Sequence, residues 1–239
     1  MQQPYRNIGF FYIGLFVLTV AGFTPRIANT PFFGYFASAP QFENVSWIIH
    51  FHAIASVAWF ILLITQSFLI RSKRLQLHRM LGKASVGLFA LLAASTILII
   101  RQQYTRDLLS SKEVAQAAVL PVLLALAFAT IFYTLALLKR RDLFQHVAFM
   151  LAAALTISTN GLTRLGIYLA GDLSGILWAA LFVYSALIGF WLFEKFKLQR
   201  PALKSPYLPI TLLFLFNHVL AALGSNSAAW HWIADRTLI

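Results

Sequence analysis

The chain contains no cysteine. That one absence removes disulfides, thiolate metal sites, thioether-linked haem and a cysteine nucleophile together. Charge is the second scarcity: Asp, Glu, Lys and Arg make up 11% of the 239 residues, and only 7 are acids. An ordinary soluble domain has roughly 25% charged and about 45–50% apolar residues, whereas here 60% are hydrophobic. A water-soluble globule of this length could not hide that much apolar side chain, and the same composition excludes a disordered chain. Several catalytic signatures are also missing. There is no H-E-x-x-H, G-x-S-x-G, P-loop or G-x-G-x-x-G, which argues against zinc proteolysis, a serine nucleophile elbow and nucleotide binding. No apolar run carries paired aspartates, and residues 208–224 hold no lysine for a retinal Schiff base.

What the sequence does have is seven apolar runs, at about 8–23, 47–70, 81–100, 114–138, 144–170, 173–193 and 207–224. A bilayer core of about 30 Å takes roughly 20 helical residues. Lipid also forces backbone groups to bond internally, and no alternating strand pattern is present. The expectation is a single all-α transmembrane domain over residues 1–239, a bundle of seven helices. The first run follows Arg6 as a signal peptide would, but no clean A-x-A site follows directly after it, so it reads as a retained helix.

The formal charge of +12 comes from cations in short runs between apolar segments, the pattern of topology signals rather than of nucleic-acid binding. Arg6, Arg71, Lys73, Arg74, Arg79, Lys83, Lys139, Arg140, Arg141, Lys195, Lys197, Arg200 and Lys204 fall on one side. Arg26, Arg101, Arg106, Lys112 and Arg236 fall on the other. The richer side faces the cytoplasm. The N-terminus is then cytoplasmic, the C-terminus outside, and the location the inner (cytoplasmic) membrane. The stretch 24–46, with Pro25, Pro31, Pro40 and the clustered aromatics Phe32, Phe33, Tyr35 and Phe36, is expected to lie on the outer surface.

Polar groups inside the runs are few, and such groups usually face the bundle interior. In the second run His52, Ser56, Trp59 and Gln66 fall within about 80° of arc, while His50 points to the opposite side. In the fifth, His146, Met150, Asn160 and Arg164 share a face. The seventh holds Asn217 and His218. His52, Arg164 and His218 all lie about 8–9 Å below the outer surface at 1.5 Å per residue. Arg164 stays charged, and none of the seven runs contains an acid. Its partner is therefore an outer-loop carboxylate such as Glu43 or Asp172, a bound anion, or water reached by snorkelling. At the inner side His78 and Arg79 precede Gly82 and Ser85, and His146 opens the fifth run.

The stretch running from His52 through Trp59 and Gln66 to Arg74 and His78-Arg79-Met80-Leu81-Gly82, followed by Arg141, His146, Met150 and Arg164, resembles a family of bacterial multi-pass membrane proteins. That resemblance covers about half the chain and implies fold and location rather than an activity. A looser similarity is to b-type membrane cytochromes, which implies haem held between transmembrane histidines. His78 and His146 differ from that pattern in lying at helix ends.

Three classes follow. The first is an intramembrane redox protein, hence a membrane oxidoreductase, with haem b held by His52 and His218, Arg164 on a propionate, and a second site at His78 and His146. The second is a transporter, or a protein binding an anionic lipid or small molecule through the same outer residues. The third is a structural or assembly subunit, in which Trp59, Gln66, Asn160 and Asn217 serve helix packing alone.

Overall fold

The computed structural model describes residues 4–23, 46–109 and 111–237. The proline-rich stretch 24–45, Glu43 included, lies outside the described residues. The fold is all-α: among the described residues 85% are helical and none is in a strand. The described residues form eight α-helices, α1 Ile8–Ala21, α2 Trp47–Arg71, α3 Leu75–Asp107, α4 Lys112–Leu138, α5 Leu143–Ala170, α6 Gly175–Phe196, α7 Tyr207–Gly224 and α8 Ala228–Thr237.

Helices α2 to α7 are each long and apolar enough to cross a membrane, which makes the chain a multi-pass membrane protein. The first apolar run differs from the expectation, because its helix α1 has only 14 residues. At 1.5 Å per residue that is about 21 Å, short of the roughly 30 Å core. Some of the other helices outrun their apolar stretches. α3 extends well past both ends of its run, because a helix entering the aqueous boundary keeps its backbone bonds after hydrophobicity ends.

The ends are set by local chemistry. Ser46, Ser111 and Asp142 cap α2, α4 and α5 by accepting backbone N–H bonds. Gly171 ends α5 in the left-handed conformation, φ 79°. At the end of α2 the N–H of Arg74 bonds the carbonyl of Leu69 at 2.9 Å, with Lys73 at φ 60° in the position usually left to glycine.

α5 is the centre. It packs against α1, α4 and α6 and touches α7, while α2 lies between α1 and α3, and α7 between α4 and α6. Residues 151–156 are all buried, and six consecutive buried positions leave that stretch of α5 no free face. Three of them, Ala152, Ala153 and Ala154, are small enough for neighbouring helices to close on the backbone. α1 crosses α5 where glycine is required: a Cβ on Gly161 would stand 2.6 Å from the Thr19 carbonyl oxygen, and one on Gly22 would stand 1.9 Å from that of Gly161. Tyr12 and Leu15 of α1 are buried in the same core. The outer helices are opposite in character: α6 exposes Leu177, Trp178 and Leu181, and α7 exposes Leu212, Phe216 and Leu223.

Candidate functional site

His52, Arg164 and His218 sit in three different seams. His52 is half-buried on α2, its Nδ1 2.9 Å from Ser95 Oγ on α3. Ser95 gives its own proton to the Leu92 carbonyl, so the His52 Nδ1–H is the donor between them. His50 is exposed. His218 of α7 bonds Tyr184 of α6 through Nδ1 at 2.8 Å. Arg164 of α5 is exposed and lies over the Phe23 ring beyond α1, 4.7 Å from its centroid. Asp172, one of its expected partners, accepts from the Ser174 N–H at 2.7 Å. α2 and α7 are not packing neighbours. The shared depth of the three residues therefore does not become a shared cavity. Asn160 is exposed, and Asn217 is half-buried with an unpartnered Oδ1.

At the cation-rich end the residues do converge. The Gln66 side chain on α2 buries both Nε2 and Oε1 without a hydrogen-bond partner. The open side of Gly82 on α3 faces that amide: a Cβ there would be 3.9 Å from Gln66 Nε2. His78, one turn before Gly82, lies beside the Gln66 backbone carbonyl and within electrostatic reach of His146, and its own Nδ1 is buried and unpartnered. His146 opens α5 and donates from Nδ1 to the Ala136 carbonyl at 2.8 Å, leaving Nε2 as the lone-pair nitrogen. Ser85 donates to the Gly82 carbonyl and accepts from the Tyr133 hydroxyl, each at 2.7 Å. Tyr133 stacks on Phe89, centroids 4.1 Å apart, and Phe89 in turn contacts the buried Trp59. Four helices thus place Gln66, His78, Tyr133 and His146 around one polar string. Among the described residues no three His, Cys, Asp or Glu side chains group as metal ligands.

Two polar clusters escaped the sequence reading. The first lies just past the end of the sixth apolar run. α6 continues beyond its apolar run to Phe196 and carries Glu194, which is wholly buried. Glu194 accepts from the Tyr5 hydroxyl and sits 3.6 Å from Arg200, whose guanidinium lies 3.9 Å from the Phe144 ring centroid. Burial and the neighbouring carboxylate push the Tyr5 phenol well above its ordinary pKa. A lone acid at the head of the basic stretch 195–204, six residues before Arg200, was the available signal. The second cluster holds α8, which no apolar run announced. Trp230 donates to the Gln116 carbonyl at 2.7 Å, and His231 and Asp235 bond the Gln116 side chain. Lys112 pairs with Asp235 at 2.8 Å, and its hydrogen bond holds the Asp235 carboxyl below the usual aspartate range.

The chain matches no protein-family model, no curated protein and no solved structure.

Proposed function

We propose that the chain crosses the cytoplasmic membrane seven times, N-terminus inside and C-terminus outside, and binds a small polar or lipid ligand at its cytoplasmic end through Gln66, His78 and His146. The topology rests on the cation asymmetry and on α1, whose glycine contact with α5 keeps it within the bundle. The observation that carries the ligand site is the buried, unpartnered amide of Gln66 beside the unpartnered Nδ1 of His78. Each buried polar group without a partner costs about 1–3 kcal/mol, and native proteins seldom leave several together. A ligand head that both donates and accepts hydrogen bonds satisfies all three atoms. The same residues carry the resemblance to bacterial multi-pass membrane proteins.

Native mass spectrometry of the purified protein tests this. Wild-type protein should retain a non-covalent adduct that Gln66→Leu loses and His50→Ala keeps. Adduct-free wild-type protein, or equal retention in Gln66→Leu, would reject the site.

A specific observation favours haem b as a second candidate at this end. His146 donates from Nδ1 to a backbone carbonyl, the bond that orients an imidazole to ligate through Nε2. His78 and His146 would then be the ligands, and the group would supply one-electron chemistry. His52 and His218 do not fit a shared haem, because their helices are not neighbours. A Soret band in the purified protein, absent from His146→Ala, would decide for haem.

A further inference from the structure

We propose that the cleft between the start of α1 and the end of α2 binds the phosphate of an anionic phospholipid. This site is separate from the Gln66 cluster and goes beyond it. The cleft measures about 430 Å³, and Arg6, Arg71 and Arg74 surround it, with Thr65 and Ser72 between them and Phe68 as an apolar wall. That volume falls within the roughly 300–1,000 Å³ of small-molecule sites.

Three arginines without a carboxylate make an anion site by chemistry. None of the ion pairs among the described residues uses Arg6, Arg71 or Arg74. Arg71 is held in place by neutral partners, donating to Asn7 Oδ1 at 3.4 Å and lying 5.2 Å from the Phe10 ring centroid. Guanidinium groups match phosphate oxygens in pairs, and such bonds are about twice as strong as neutral ones. One feature opposes an anion: the C-terminal pole of α2 carries about half a negative charge. Three full positive charges outweigh it. The amides of Ser72, Lys73 and Arg74 already cover the carbonyls of Phe68, Ile70 and Leu69. The adjoining N-terminus of α3, which has no side-chain cap, adds positive potential at the same turn.

The apolar surroundings choose a lipid over a free ion. Phe68 meets Phe10 edge to face at 5.4 Å. From Phe10 an exposed stripe continues through Ile13 and Val17 along α1, 55%, 37% and 57% exposed. The spacing by three and four residues keeps those side chains on one face. A headgroup seated among the arginines would therefore lay its acyl chain along that stripe.

The test is thermal unfolding of the full-length protein in detergent. Phosphatidylglycerol, phosphatidylcholine or inorganic phosphate is added in turn. Phosphatidylglycerol should raise the midpoint where phosphatidylcholine does not. In the triple variant Arg6→Gln/Arg71→Gln/Arg74→Gln its half-effective concentration should rise tenfold or more, about what one lost charged hydrogen bond gives. The variant Lys139→Gln/Arg140→Gln/Arg141→Gln removes the same charge elsewhere on that end and should respond as wild type. A stabilisation by inorganic phosphate equal to that by phosphatidylglycerol would overturn the lipid source and leave a free-anion site. Equal responses to both lipids, or loss in the control variant as well, would overturn the cleft itself. The single variant Arg74→Lys, which keeps the charge, should fold and keep a weakened response, and a full response there would overturn the role of the guanidinium. Gln66→Leu should leave the lipid response untouched, so this site and the Gln66 site fail separately.

Discussion

At the cation-rich end, Tyr5, Glu194 and Arg200 tie the segment before α1 to α6 and the turn after it; at the opposite end, Lys112, Gln116 and Asp235 tie α8 to α4. The two clamps use the same parts, a carboxylate, a cation and one neutral polar side chain. Their surroundings differ. The Glu194 side chain is 0% exposed and that of Arg200 24%, while those of Asp235 and Lys112 are 40% and 48% exposed. Charges attract more strongly where water is excluded, and an unmatched charge costs more there. The first clamp also holds Tyr5 at φ 64°, a left-handed conformation that costs a residue with a side chain about 1–2 kcal/mol. It persists because the buried ring, edge-on to Phe144 at 6.0 Å, and the bond to Glu194 fix it there.

The largest effect should therefore come from Glu194→Ala. Removing the carboxylate leaves the Arg200 guanidinium and the Tyr5 hydroxyl without their partner in a dry site. A loss of about 3–5 kcal/mol is expected in reversible unfolding from detergent. Glu194→Gln, which can still accept from Tyr5, should lose less. If Glu194→Ala costs no more than Asp235→Ala, the contrast between the clamps is wrong.

Gln116→Ala should come next, at about 1–3 kcal/mol. Gln116 is 2% exposed, and its side chain joins His231 to Asp235. Truncating it leaves His231 without its partner and Asp235 with Lys112 alone, but spares the Trp230 bond to its backbone. The measurable consequence is local: proteolysis at Arg236 should accelerate while the midpoint for the bundle moves less than in Glu194→Ala.

The smallest effect is a response to pH, and the two clamps should respond at opposite extremes. Asp235 has a lowered pKa, so its bond to Lys112 contributes above the ordinary aspartate pKa and is lost as pH falls through the lowered value. Tyr5 has a raised pKa, so its contribution is complete below the ordinary tyrosine pKa and is lost as pH rises toward the raised value. Hydrogen exchange should show α8 loosening in acid and the segment before α1 loosening in alkali. Loosening of both ends at the same extreme would contradict the assignment. Because Asp235 and Lys112 face solvent, salt should weaken the acid response.

Composition and run length made the long helices legible, since few other structures satisfy a backbone in lipid. The limits of those helices were less so. Apolar runs mark where hydrocarbon begins, whereas a helix ends where a cap or turn intervenes, and Glu194 lay hidden in the interval between the two. α8 was invisible for the same reason: it is short and mixed in character, with Trp230 and Ala234 buried and Trp232 and Ile233 exposed. The histidines show a different limit. Azimuth and depth follow from spacing along one helix, and His52 is indeed turned more inward than His50. Which helices stand side by side depends on contacts between distant segments, such as Gly161 against Thr19. That information places His52 with Ser95 and His218 with Tyr184 rather than with each other. Gln66 and His78 flank the short turn between α2 and α3, so chain connectivity brings those two close, and His146, after the short turn from α4, joins them because α3 packs against α4.

The alanine-rich centre of α5 also bears on how the protein enters its membrane. The most apolar stretch of α5 has a mean hydropathy of 1.2, against 2.2 for α4 and 2.1 for α6. A translocation channel that weighs each segment as it emerges gains least from α5, where Arg164 opposes transfer and alanine adds little. Its hydroxyls are already masked, for Thr156, Ser158 and Thr159 each bond a carbonyl one turn back along the same helix. On its own α5 should therefore partition into lipid least readily of the three, and its packing against α4 and α6 should favour its entry.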